Sequence, residues 1–335
     1  MTHLTYLEAG VVGLVQGITE MFPVSSLGHN VLIPALVGGS WAKDLNVAAP
    51  ESPYLAFIVG LHVATAIALV IYFWRDWVRI VGGFVSSLRE RRVQTADQRL
   101  AWLIILATIP VGLAGLAFEH TFRVIFGKPV LAAVFLAVNG VILIAGERYR
   151  TRESLAADAA LREARARAAT AARPVHTVPA AAPGALPADP SRYDRDDPDG
   201  AVQADSRLAA MGYPRALVIG SAQILALLAG ISRDGVAMVA GMARGLSRED
   251  AARFAFLLAT PVILAAGVLK VPDLAGPLGA GIRGPILFGS VLSGVGAYLS
   301  VRFLLRYLRT RTLTPFGVYC LIVGLGSVAF LTLAR

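Results

Sequence analysis

Glu20, Ser25, Ser26 and His29 fall close together in TEMFPVSSLGH, and Ser232, Arg233 and Asp234 in GISRDG. A hydroxyl, an imidazole and a carboxylate so near one another are the parts of an activated nucleophile. A guanidinium is the side chain shaped to hold a phosphate through two parallel bonds. Pro23 lacks an N–H and its ring opposes helix continuation, so a helix over about Tyr6 to Thr19 is expected to break there. A new helix can then start at Ser25 or Ser26, and Gly230 makes a similar break before Ser232 and Arg233. Free backbone N–H groups and the positive end of the dipole make each helix start a seat for phosphate or another anion. Two such starts facing each other, with Arg233 between them, would cradle a diphosphate.

Ser26 and His29 are three residues apart and share a helical face, so the imidazole could take the hydroxyl proton. Glu20 could orient His29, carry a proton, or bind a divalent cation bridging diphosphate oxygens, and the spacing does not choose among these. Simpler readings compete. Ser25 serves equally as an N-cap, and Gln16 and Gln223 as hydrogen bonds between helices. His62, alone in FIVGLHVATA, reads as a packing residue, and Met238 and Met242 as core.

The elements that hold these residues belong in a membrane. The chain has 335 residues, 56% hydrophobic and only 16% charged, with a mean hydropathy of +0.64. That is more apolar sequence than a water-soluble core would use. Charge-poor runs at about 54–73, 100–118, 129–146, 254–270, 284–305 and 314–334 each approach the ~20 residues that cross a bilayer. The fold expected is all-α and polytopic, with about six spanning helices. The first apolar run has neither a basic start nor a small-residue cleavage site, so no removable signal peptide is expected. Cys320 is the only cysteine, which excludes an intramolecular disulfide and a cysteine metal site.

Residues 151–213 break the apolar pattern with Ala-, Pro- and Asp-rich sequence and are expected to form a disordered linker. The linker divides a first membrane repeat, 1–150, from a second, 214–335. It carries eight Arg against nine acidic residues, a net −1, so the membrane part carries +10 of a chain whose overall charge is +9. The basic residues cluster beside apolar spans, in WRDWVR, RERR and RYLRTR, which is the pattern of membrane topology and not of a nucleic-acid surface. Loops 74–99 and 306–312 should therefore face the cytoplasm, together with the linker and the turn at 246–250. Segments 39–53 and 119–128 and the C-terminus should lie outside.

Segments 4–38 and 214–245 are apolar but interrupted midway. At a constant offset of 207 they match at Gly13/Gly220, Gln16/Gln223, Ser25/Ser232 and Gly28/Gly235, with Val24 and Ile231 similar. Three spans separate them, so two hairpins would dip into the membrane from opposite faces as an inverted repeat. Broken backbone at such depth is tolerated where protein buries it or water reaches it.

GLVQGITEMFPVSSLGH and GISRDGVAMVAGMARGLSREDAARFAFLLATPVI resemble the two signature regions of the undecaprenyl-diphosphate phosphatase family. FIVGLHVATAIALVIYFWRDW and TLTPFGVYCLIVG resemble its other spans, leaving only the linker uncovered. The resemblance implies a multi-pass enzyme of the bacterial cell membrane with two re-entrant helical hairpins, acting on a polyprenyl diphosphate lipid. It implies a serine nucleophile at Ser26, with His29 and Glu20 as its histidine and acidic residue, and Arg233 as the diphosphate-binding arginine. Ser25, Ser232, Gln223 and Gly235 match supporting positions around the substrate. Magnesium or calcium is the implied cation, with Glu20 as its ligand, and a homodimer is compatible. The chain departs from the family at Ala229, Asp234 and Ala237, where proline, serine and threonine are common. Gln16 replaces a glutamate found in some members, and Cys320 an arginine. Asp234 would either neutralise Arg233 or hold the cation. Hydrolysis of undecaprenyl diphosphate to the monophosphate is the function expected. A polyprenyl-phosphate carrier and a lipid-binding paralogue without turnover are the alternatives.

Overall fold

A membrane-buried backbone has no water to pair with, so its polar groups must bond within the segment, and the described chain is helical throughout. The computed structural model describes residues 4–45, 53–126, 128–171, 198–275 and 281–333. Helices α1 (Tyr6–Met21) and α2 (Ser26–Val37) form the first hairpin, and a short α3 (Gly39–Asp44) follows. Next come α4 (Pro53–Tyr72), α5 (Trp74–Glu90), α6 (Ala96–Phe126), α7 (Pro129–Ala171) and α8 (Pro198–Ala209). The second hairpin is α9 (Tyr213–Ala222), a 3-10 turn over Gln223–Leu227, and α10 (Arg233–Ala243). Three long helices close the chain, α11 (Arg248–Ala275), α12 (Arg283–Tyr307) and α13 (Thr314–Leu333). Among the described residues five helices, α6, α7, α11, α12 and α13, are long and apolar enough to cross a membrane. Counted as one span, the bent pair α4–α5 brings the number to six. The chain is therefore an all-helical, multi-pass membrane protein.

The arginine-rich segment after α4 is helix where a loop was expected. α5 turns 85° from α4 and lays Trp74, Val78, Val81, Val85 and Leu88 along one exposed stripe. The linker expectation also needs correcting at both ends. α7 runs through it to Ala171, and α8 occupies 198–209, whereas 172–197 lie outside the described residues. Ala and Arg are strong helix formers, so a stretch too polar to build a core still continues a helix already nucleated in the membrane.

α8 is fastened by charge. Asp205 accepts from Arg79 of α5 and, at 2.8 Å, from Arg253 of α11, and Arg253 also reaches Asp76 at 3.0 Å. Arg207 pairs with Asp250 at 2.7 Å. On the same face Glu147 accepts from Arg248 and from the Leu313 N–H, and Arg309 reaches Glu249 at 3.3 Å. Charged residues of α5, α7, α8, α11 and the turn between α12 and α13 are thus tied together, in keeping with the clustering of arginines.

The hairpins open toward opposite faces. Tyr6 at the start of α1 packs edge-on against Phe288 near the start of α12, whereas Tyr213 at the start of α9 lies under Arg99 near the start of α6. Their packing repeats too: a Cβ on Gly13 would strike the backbone of Gly289 in α12, and one on Gly220 the backbone of Ala107 in α6. These two glycines are equivalent at the offset of 207. α11 is the most buried of the candidate spans and packs between α4 and α10 at the centre.

Candidate active site

Each hairpin breaks where the sequence predicts and restarts on a serine. Ser25 caps α2, its Oγ accepting from the Gly28 N–H at 3.2 Å, and Ser232 caps α10 in the same way from the Gly235 N–H at 3.1 Å. The two starts interlock. A Cβ on Gly28 would meet Gly230 Cα at 2.9 Å, and one on Gly235 would meet Pro23 Cβ at 3.2 Å. Pro23 and Gly230 are themselves equivalent at the offset of 207, so each helix start presses into the other hairpin's break. Glycine is the residue that permits this approach.

Asn139 of α7 ties both breaks together. Its Nδ2 donates to the Pro23 carbonyl at 2.9 Å and its Oδ1 accepts from the Ser232 N–H at 3.0 Å. The sequence reading passed over Asn139. The available signal was a fully polar side chain in the middle of an apolar span, which is costly unless it has a structural or functional partner.

Glu20 lies at the centre of the site. Its Oε1 accepts from Arg233 Nη2 at 2.6 Å. Its Oε2 accepts from Ser26 Oγ and from Gln16 Nε2 at 2.9 Å, and His62 Nε2 stands 3.3 Å from the same oxygen. Asn30 supports Gln16 from behind, donating to its Oε1 at 2.6 Å. Arg233 Nε also faces Asp234 Oδ1 at 3.4 Å. Ser25, Ser26, Glu20, His62, Gln223, Ser232, Arg233 and Asp234 line one cavity of about 190 Å³. Apolar Leu27, Val111, Leu227 and Val262 form part of its wall.

His29 is not where the sequence reading expected it. Its Nδ1 bonds the Ser25 carbonyl at 2.8 Å, and its Nε2 meets the Tyr319 hydroxyl at 2.8 Å, with the two rings stacked. A carbonyl only accepts, so Nδ1 carries the proton and the ring's lone pair is committed to Tyr319. The i,i+3 spacing gave His29 and Ser26 one helical face. Both residues do lie in α2, but the ring is held by Tyr319 and by the carbonyl of Ser25, a strained residue at φ +66°. The partner of Ser26 is Glu20. His62, read as packing, lies within the site. Gln16 and Gly235 act from behind, the first through Glu20 and the second through its backbone.

The site contains unpartnered polar atoms. Gln223 Nε2 and Oε1 and Asp234 Oδ2 are buried without a hydrogen bond, though all belong to residues lining the cavity. Buried polar groups are normally paired, so these are positions where a ligand would complete the bonding. The carboxylate of Glu20, in contrast, is filled by donors on both oxygens. Among the described residues no group of three or more His, Cys, Asp or Glu could hold a metal ion.

A family model described as bacitracin resistance protein BacA matches residues 9–172 and 191–326. An undecaprenyl-diphosphatase of Mycolicibacterium paratuberculosis is 58% identical over 331 residues, covering 99% of each chain. Undecaprenyl-diphosphatase 2 of Frankia alni is 56% identical over 335 residues, covering 97% of each. Undecaprenyl-diphosphatase 2 of Chromobacterium violaceum is 37% identical over 329 residues, covering 97% of this chain and 98% of its own.

Proposed function

The chain belongs to the bacitracin resistance protein BacA family, and on that premise we propose that it is an undecaprenyl-diphosphatase of the bacterial plasma membrane. It hydrolyses undecaprenyl diphosphate to the monophosphate and inorganic phosphate, returning the lipid carrier to cell-wall synthesis. The names of its relatives favour this over a carrier or a lipid-binding paralogue without turnover.

One observation carries the chemistry: two helix starts, an arginine and a serine hydroxyl already bonded to a carboxylate share one buried cavity. The starts and Arg233 supply donors for the diphosphate, in a setting where water is scarce and electrostatic contacts are strong. Arg233 must loosen from Glu20 to grip the substrate with its planar fork. Its departure frees one oxygen of Glu20 and makes the carboxylate a better base toward Ser26. Ser26 Oγ then attacks the terminal phosphorus, Glu20 takes its proton, and the lipid monophosphate leaves. Water releases phosphate from the serine in a second step. His29 acts as a positioning residue that holds Ser25, and Ser25 and Ser232 hold the helix starts.

Before substrate enters, both Glu20 oxygens face Arg233 and His62, so Glu20 is not an open ligand for the divalent cation in this structure. Asp234 Oδ2 and the Gln223 Oε1 atom are hard oxygen donors without partners at the cavity, and these residues would hold it. Magnesium or calcium bound there would offset the negative charge of the diphosphate.

The test is phosphate release by purified protein from a C15 or C55 diphosphate, with and without EDTA. Ser26→Ala should lower turnover by about a thousandfold or more. Wild-type turnover in Ser26→Ala would replace the serine with direct attack by water.

A further inference from the structure

His62 has no part in the reading so far, yet it is one of the residues nearest the reacting hydroxyl's base. Its Nδ1 stands 2.8 Å from the Ile58 carbonyl and its Nε2 3.3 Å from Glu20 Oε2. Both partners are oxygen acceptors, so one proton lies on Nδ1 and another is shared between Nε2 and the carboxylate. Charge balance alone does not define its role, although with Arg233 shared between Glu20 and Asp234 a protonated ring would neutralise the second carboxylate. Nor is the ring sealed in packing: its side chain is 26% exposed and lines the cavity beside Ser26 and Arg233. Among the described residues the charges acting on it are Glu20 of α1 and Arg233 of α10, the latter paired in turn with Asp234.

We infer that His62 is the general acid of the diphosphatase reaction, passing protons between Glu20 and the departing phosphate. The inference rests on the diphosphatase reading above. As the Oγ–P bond forms and the bond from phosphorus to the bridging oxygen breaks, the Ser26 proton passes to Glu20 Oε2. His62 gives its Nε2 proton to the oxygen that leaves with the lipid monophosphate. Glu20 then returns the serine's proton to His62 Nε2. In the second step water attacks the phosphoserine, the P–Oγ bond breaks, one water proton ends on Oγ, and inorganic phosphate carries away the hydroxyl.

Gln16 makes the assignment testable, since its Nε2 is 2.9 Å from the same Glu20 Oε2. A glutamic acid at position 16 would share a proton with that oxygen and could replace the imidazole as a carrier. His62→Gln retains an amide that can donate to Glu20 but has no proton to transfer. Phosphate release from a C15 diphosphate is measured across pH for wild type, His62→Gln and the double variant Gln16→Glu/His62→Gln, with thermal melting of each. An acid works only while protonated, so the wild-type kcat should fall as pH rises through the titration of His62. In His62→Gln, kcat should drop by about 10²–10⁴-fold with KM unchanged, and this alkaline decline should disappear. The double variant should recover most of the loss. Wild-type kcat in His62→Gln, a loss that Gln16→Glu does not restore, or a raised KM at unchanged kcat would each overturn the acid role. Absence of phosphate release from the wild-type protein would instead overturn the diphosphatase reading, and this inference with it.

Discussion

Replacing Asn139 tests whether the site depends on one side chain that bonds both breaks. Asn139→Leu keeps the volume and removes both polar atoms, leaving the Ser232 N–H unpaired and the Pro23 carbonyl with only the long Cys320 Sγ contact at 4.0 Å. Each buried backbone group left unpaired costs about 1–3 kcal/mol. Hydrogen bonds inside membrane proteins average nearer about 0.6 kcal/mol when measured by double-mutant cycles. Together the two bonds come to about 1–6 kcal/mol, and the zero exposure of Asn139 puts the sum near the middle, because no water can replace the lost partner. The effect should go beyond stability. Ser232 is the cap of α10 and Pro23 precedes the cap of α2, so both helix starts would drift relative to the cavity. A drift of about 1 Å is enough to lower turnover by about 10²-fold. Thermal melting in detergent and phosphate release from a C15 diphosphate would be measured on the same preparation. Cys320→Ala serves as the comparison, because Cys320 reaches Asn139 and the Pro23 carbonyl only through long sulfur contacts of 3.4 and 4.0 Å. If Asn139→Leu melts and turns over like the wild type, the two breaks hold themselves and the tie is incidental.

Two further outcomes follow from the geometry. Asp234→Ser removes the free carboxylate oxygen at the cavity, so calcium or magnesium affinity read by calorimetry should fall along with turnover. Unchanged affinity would move the cation elsewhere and leave Asp234 as the neutralising partner of Arg233. A cysteine placed at the exposed Gln94, with the buried Cys320 changed to serine, should react with an impermeant maleimide only after cells are permeabilised. Reaction in intact cells would reverse the orientation.

What could be read from the sequence was whatever short-range chemistry imposes. Pro23 and Gly230 break helices through their own backbone properties, and serines cap the helices that follow, so both starts were visible at the right residues. The matches at an offset of 207 were visible because equivalent backbone contacts demand small residues at equivalent places. Contacts between distant segments were not visible. His62 is 42 positions from Glu20, and nothing in FIVGLHVATA distinguishes a ring facing the site from one facing a neighbouring helix. His29 does share α2 with Ser26, but its ring turns to the Ser25 carbonyl and to Tyr319, a partner 290 positions away that spacing cannot show. α8 was misread because its polar, acidic composition signals disorder until Arg79 and Arg253 supply the partners of Asp205.

The reciprocal seating of Gly28 against Gly230 and Gly235 against Pro23 bears on how such a protein could have arisen. A polypeptide of half this length would carry one gap and one plug, and the plug could not reach its own gap. It would be complete only with a second copy inserted the opposite way up, so an unfused half would need both orientations in the same bilayer. Fusion then freed each half to specialise. The arginine could settle in one plug and the acid–serine pair in the other, which no symmetric pair of identical chains could have achieved.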